Sequence, residues 1–212
     1  MRAFADVVQS FPEYRDTIEG VYTALEEWNG VGWVLYNESI ATDYLQPLAV
    51  GVRNVSGAPA PLAVWASPYY VGNLSLHPTA LSPKAYAEFW TRVWALAPDF
   101  DWIALQDSRG WQGNSDAEVA AALTELRAAA NASGRELWSN VELFEGWPLP
   151  CIYPTKCGRH PAPFERIEKQ LASEDALVDG RHIAWEWSSC LSPYTNADTK
   201  ALYDDYKAYV DV

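Results

Sequence analysis

The chain has 212 residues, 49% of them apolar and 20% charged, which suits a single globular domain over 1–212 with a real core and no internal linker. Its formal net charge of −13 disfavours nucleic acid and anionic membrane surfaces as partners, because both attract a basic face. No apolar run approaches the roughly 18 residues of a membrane span. Three scattered histidines (His77, His160, His182) and three cysteines offer no zinc spacing, so no metal and no other cofactor is expected.

In chain order, Ser10 with Glu13 reads as a capping box and Pro12 suits a first helical turn. Tyr14, Ile18, Val21, Tyr22, Leu25 and Trp28 recur at helical spacing, so a helix is expected up to Asn29-Gly30. The run from Gly32 to Tyr36, closed by Asn37-Glu38, predicts a first strand over 32–38. A helix is expected near 42–55, then a strand over 62–67 ended by Pro68. After a loop over 69–82, Ser82-Pro83 opens a helix whose apolar face is Tyr86, Phe89, Trp90, Val93, Trp94 and Leu96. Strand 102–106, loop 107–113, helix 115–132 and strand 136–142 follow. A proline-rich loop holds Cys151 and Cys157, which could pair and leave Cys190 over. Helix 164–178, strand 182–188 and helix 198–210 complete the chain.

Strands alternating with helices predict an α/β fold with a parallel sheet. Side-chain parity adds a second constraint. Val64 and Ala66, Ile103 and Leu105, and Leu137 and Val141 share an aliphatic face; Trp65, Gln106, Trp138, Asn140 and Glu142 share the other. One aliphatic face and one polar, aromatic face suit a barrel interior better than an open sheet covered by helices on both sides. No glycine-rich phosphate loop follows any strand, which argues against a dinucleotide fold. A (β/α)8 TIM barrel has eight units in about 250 residues. Five strands therefore read as its last five β/α units, with the first three, and any signal segment, expected upstream of Met1.

Two predicted strands end in a glutamate beside an asparagine: Asn37-Glu38 and Asn140-Val141-Glu142. A carboxylate at the end of a buried strand is costly unless paired or functional. A pair of them on one sheet is the equipment of glycoside hydrolysis, one acid and one nucleophile or base. Glu38 and Glu142 are the candidate catalytic residues. Glu145, beyond the strand, and Glu186, inside the last one, are the rivals. Gln106 and Asp107 are expected to line the site; the alternative for both is a loop cap that bonds its own backbone. Tyr69, Tyr70, Trp111 and Trp187 are candidate stacking platforms for sugar rings or, alternatively, rim packing. Arg109 either clamps an anionic sugar or neutralises Asp107, and the second suits its position better.

Counted from the end, the strand at 32–38 becomes strand four of a barrel and 136–142 becomes strand seven. Glu38 and Glu142 then resemble the acid/base and the nucleophile of retaining glycosidases of clan A, with Asn37 similar to the asparagine that bonds the sugar 2-hydroxyl there. Trp185-Glu186-Trp187-Ser188 resembles that clan's aromatic strand eight. A closer resemblance is to an uncharacterised family of TIM-barrel, glycosidase-like domains. It is carried by Gly32-Trp33 through Glu38, Ser67-Pro68-Tyr69, Gln106-Asp107-Ser108-Arg109-Gly110 and Trp138-Ser139-Asn140-Val141-Glu142-Leu143-Phe144. The resemblance implies a glycoside hydrolase acting on a poly- or oligosaccharide by a two-carboxylate, retaining mechanism. Asn37, Tyr69, Tyr70, Gln106, Asp107, Trp111, Asn140, Glu186 and Trp187 would then bind the substrate. The alternative is a non-catalytic carbohydrate-binding barrel with the same platforms, or an inactive fragment.

Four N-x-[ST] sequons, at Asn37, Asn54, Asn73 and Asn131, exceed chance and suggest a secreted glycoprotein. Asn54 and Asn131 are expected on the outside. The opening Met1-Arg2-Ala3-Phe4-Ala5-Asp6 has no apolar core of a signal peptide.

Overall fold

The computed structural model describes residues 10–11, 17–23, 26, 28–30, 38–54, 62–147 and 158–211. Five parallel strands form its centre: β1 (Gly20–Thr23), β2 (Ala63–Ala66), β3 (Trp102–Gln106), β4 (Glu136–Glu142) and β7 (His182–Trp185). They lie side by side in that order. Every neighbouring pair is parallel, as in Val21 against Val64, Ile103 against Leu137 and Val141 against Ala184. The sheet is a half-barrel. A separate antiparallel hairpin, β5 (Phe144–Trp147) with β6 (Gly158–Pro161), stands beyond the end of β4.

The crossovers are helical because parallel neighbours need long connections. Residues Ile40–Leu45 form a π-helical turn that runs into α1 (Gln46–Arg53). Helix α2 (Pro83–Leu96) starts on Ser82, whose side chain accepts the Ala85 N–H, with Pro83 in its first turn. A short α3 (Arg109–Gln112) precedes α4 (Asp116–Ala132), which opens on a Ser115–Glu118 capping box. Helix α5 is Phe164–Val178. After a π-helical turn at Trp187–Leu191, α6 (Ala197–Val210) is capped by Asn196.

The two faces of the sheet have different fates. Outward-facing Val64, Ile103, Leu105 and Leu137 pack with Trp90 and Val93 of α2 and Leu123 and Leu126 of α4 in one buried core. Each large aliphatic or aromatic side chain removed from water there contributes about 1.5–3 kcal/mol. On the concave face, Tyr22, Trp65, Trp102 and Trp138 stack in a row across four strands, with centroid separations of 4.6, 4.5 and 4.5 Å. Trp65 and Trp102 each have a ring neighbour on both faces, and Trp65, Trp102 and Trp138 line a concavity of about 570 Å³ with Ile18 and Ile183. Rings used in this way pack as barrel interior; a sugar platform needs a free face.

The structure revises three expectations and leaves a fourth largely outside the described residues. The first strand is Gly20–Thr23, inside the stretch expected to be helical. A short apolar run does not by itself separate the two, and pairing with Ala63–Ala66 decides for strand. The strand expected over 32–38 lies, at 32–37, outside the described residues. Its last residue, Glu38, is helical and exposed. The last strand ends at Trp185 rather than at 188. The hairpin over 144–161 had no counterpart in the sequence reading. Cys151 and Cys157 lie outside the described residues, and Cys190 is a buried free thiol.

Candidate active site

Because the sheet is parallel, all strand C-termini open on one side, the side on which TIM-barrel enzymes build their sites. Glu142 ends β4 on the concave face and is only 3% exposed. It lines a cleft of about 250 Å³ with Glu26, Tyr69, Gln106, Trp111, Phe144, Arg159 and Trp185. These residues come from the C-terminal ends of β1, β2, β3, β4 and β7 or the loops just beyond them, from α3 and from the hairpin.

The turn after β3 is built to receive Glu142. Ser108 takes a left-handed conformation (φ 54°), which swings α3 over the end of β4. Trp111 N–H then donates to Glu142 Oε2 at 2.9 Å, with Gly110 N–H beside it. Gly110 is needed here, since a Cβ at that position would stand 2.0 Å from Phe144 O and 3.1 Å from Glu142 Oε2. Burial pushes the Glu142 carboxyl up to about 7, against the opposing pull of those two N–H groups and of Arg166 and Arg159.

Behind Glu142 lies a buried polar network. Asp107 is fully buried, and its Oδ1 accepts from Arg109 N at 3.2 Å and from Glu142 N at 3.4 Å. Gln170 donates to Asp107 Oδ2 and accepts from Arg166 at 2.7 Å. Arg166 in turn donates to the carbonyls of Glu142 (2.8 Å) and Phe144 (2.9 Å), fixing the β4–β5 junction. Burial, then the charges of Glu174 and Glu142, raise the Asp107 carboxyl well above the usual range. Arg109 is buried and paired with Glu174 at 3.0 Å, and it also reaches Asp116. It faces the helices and not the cleft. Asp107 thus braces the site from behind and does not line it.

The remaining candidates divide. Tyr69 and Gln106 line the cleft beside Glu142, as does Trp111. Burial, reinforced by the Glu142 charge, pushes the Tyr69 hydroxyl up. Gln106 Nε2 donates to Ser67 O at 2.8 Å. Asn140 is buried one layer below, donating to Ser67 Oγ at 2.7 Å. Tyr70 belongs to the core, packed against Tyr86 at 6.1 Å, and burial pushes its hydroxyl up to about 12. Glu186 accepts from Ser189 within its own turn. Trp187 turns its ring against Tyr203 at 5.9 Å. The strand ends one residue before Glu186, so Trp185 takes the place in the cleft instead.

The largest correction concerns Glu38. It sits outside the half-barrel, 70% exposed, with Arg92 of α2 at 3.6 Å. An ion pair that exposed contributes little. Asn37 lies outside the described residues. The carboxylate that does share the cleft with Glu142 is Glu26, three residues past β1, whose Oε1 accepts from Tyr22 OH at 3.4 Å. Burial and the Glu26 charge together push the Tyr22 hydroxyl up to about 12. The sequence did hold a signal for Glu26: Gly20-Val21-Tyr22 followed by Glu26 repeats the glycine–aromatic–glutamate pattern of Gly32 to Glu38. Arg159 had none. Among the described residues no cluster of three or more His, Cys, Asp or Glu could hold a metal ion, and no helix is long and apolar enough to cross a membrane.

A parallel half-barrel of five strands with a polar cleft at its strand C-termini is the architecture of a partial TIM barrel. The chain belongs to the DUF4434 family, a domain of unknown function, whose sequence pattern matches residues 1–197. Among solved structures it is similar to the crystal structure of a "putative alpha-L-fucosidase" from Bacteroides thetaiotaomicron, at 20% identity and a TM-score of 0.71. That match covers 100% of this chain and 62% of the other, so the chain spans about three-fifths of its neighbour's length. At this identity the likeness is one of fold. No curated protein matches the chain.

Proposed function

We propose that this chain forms the last five units of a (β/α)8 barrel that hydrolyses a glycosidic bond of a poly- or oligosaccharide, with retention, in the manner of clan A. The observation that carries the proposal is Glu142: a carboxylate 3% exposed, at the C-terminal end of a parallel strand, held by a backbone N–H at 2.9 Å, in one cleft with a second carboxylate.

Glu142 is the nucleophile. Oε2 is occupied by the backbone donor, which leaves Oε1 to attack the anomeric carbon. The bond to the leaving oxygen breaks as the Glu142 ester forms. Glu26 takes the acid/base role assigned from the sequence to Glu38: it protonates the leaving oxygen and then deprotonates the water that cleaves the ester. Positive charge developing at the anomeric carbon favours ionised Glu142, so the site strengthens its hold as the transition state forms. Tyr69, Trp111 and Trp185 supply the walls of the sugar subsite, and Gln106 a polar contact. A secretory location belongs to the same proposal, and the sequons at Asn54 and Asn131 are exposed as it requires.

The direct test is trapping. A panel of 2-deoxy-2-fluoro glycosyl fluorides of different sugars is incubated with the full chain and read by intact mass and peptide mapping. A covalent glycosyl adduct on Glu142 is the expected result. Turnover without any adduct, or an adduct on another residue, would overturn the assignment.

A further inference from the structure

The cleft contains a cation that is not held in an ion pair. Arg53, Arg92, Arg109, Arg127, Arg166 and Arg181 each face a carboxylate. Arg159 has no ion-pair partner among the described residues. Its guanidinium is instead pinned on two rings of the cleft wall, 4.6 Å from the centroid of Trp111 and 4.7 Å from that of Phe144. Those rings stand nearly perpendicular to one another (76°), so together they fix the position of the charge. Cation–π contacts of this kind contribute about 0.5–1 kcal/mol each at exposed sites. They position the guanidinium without an ion pair, and Arg159 is solvent-exposed.

The two acidic groups of the cleft do not need this cation. Glu142 already accepts from Trp111 N–H, with Gly110 N–H and Arg166 nearby, and each of these acts on it more strongly than Arg159 does. Glu26 accepts from Tyr22. The hairpin β5–β6 extends from the end of β4 and returns Arg159 beside Gly146, which places the guanidinium over the cleft mouth. A guanidinium held in place on two rings presents a fork of N–H donors that matches a planar or tetrahedral oxyanion better than it matches single hydroxyl groups. The overall charge of −13 repels anions at long range, but screening confines that field to about 8 Å in physiological salt. A specific cation at contact distance then decides.

We infer that Arg159 is the anion-recognising residue of the cleft, and that the saccharide bound there carries a carboxylate or a sulfate on the ring next to the bond Glu142 attacks. This rests on the carbohydrate reading above and narrows it to acidic sugars.

The test is an array of neutral, uronate-bearing and sulfated oligosaccharides, probed with the full chain and with Arg159→Gln and Arg159→Lys. The wild type is expected to retain acidic glycans; the uronate and sulfate arms tell the two anions apart. Arg159→Gln should weaken retention about 10- to 100-fold, and Arg159→Lys, which keeps charge but not the fork, should lose less. A change on the ligand side gives the same answer with unmodified protein: reducing the uronate to its neutral hexose should cost a similar factor. Retention of neutral glycans alone, or of acidic glycans equally well by Arg159→Gln, would overturn the inference and leave the carbohydrate reading standing. No retention of any glycan by the wild type would overturn both.

Discussion

Replacing Glu142 by Gln should make the protein more stable while removing its proposed chemistry. Burial raises the Glu142 carboxyl from an ordinary 4.5 to about 7, which means that the folded state disfavours the ionised form. Below pH 4.5 the group is protonated whether folded or unfolded, and no penalty exists. Between those values the unfolded chain releases its proton and the folded chain keeps it, so stability falls as pH rises. Above about pH 7 the whole difference is felt, about 3 kcal/mol at roughly 1.36 kcal/mol per unit. A glutamine amide in place of the carboxyl keeps an oxygen to accept the Trp111 N–H and never ionises. The stability difference between Glu142→Gln and wild type should therefore grow by about 3 kcal/mol from about pH 4.5 to about pH 8. The raised carboxyl of Asp107 acts in the same direction; the part due to burial and Glu174 is present in both proteins and cancels, and the part due to the Glu142 charge is lost with Glu142→Gln and adds to the difference. Urea unfolding at several pH values, read by tryptophan fluorescence and circular dichroism together, measures the quantity. Parallel pH curves for the two proteins would refute the reasoning, since Glu142 would then titrate like an exposed carboxylate.

Other outcomes follow from the same geometry. As nucleophile, Glu142 must be ionised, so kcat/KM should fall as pH drops through about 7; a fall above that pH would assign it the acid role instead. Glu38→Gln, on an exposed helix start, should change stability by less than about 0.5 kcal/mol and leave adduct formation on Glu142 intact, whereas Glu26→Gln should slow it most for poor leaving groups. Gly110→Ala should destabilise the fold by about 1–3 kcal/mol and block trapping, because its methyl group would displace Phe144 O. Arg109→Ala should cost about 3–5 kcal/mol in urea unfolding, because it leaves Glu174 buried without its cation.

Much of the scaffold was legible in the sequence. Residues 102–106 and 136–142 read as strands and are strands, and helices at 83–96, 116–132 and 164–178 lie where apolar patterning and the Ser82-Pro83 start put them. The helices among these elements are long and strongly patterned. The parity of Val64, Ile103, Leu105 and Leu137 also anticipated which face of the sheet would meet the helices, because a strand's side-chain period is two and one face must be buried. Failures fell on short elements. Four residues of β1 sit in a run whose spacing also fits a helix, and β7 stops at Trp185 because the next turn closes on itself through Glu186 and Ser189.

The site shows the same division in sharper form. Glu142 could be found from sequence, since a glutamate ending an apolar strand has a locally visible cost. Its partner was signalled there only ambiguously. Glu26 and Glu38 each follow a glycine and an aromatic residue within a few positions, and nothing local separates them. Only the pairing of Gly20–Thr23 with Ala63–Ala66 carries Glu26 to the strand C-termini, while the packing of α2 holds Glu38 outside beside Arg92. Arg159 is more dependent still on tertiary structure. It meets Trp111, far earlier in the chain, because a hairpin folds back over the end of β4. Periodicity and capping are set by neighbours within a few residues and can be read in one dimension. Which charges share a cleft depends on contacts between segments far apart in the chain, and those exist only once the sheet has formed.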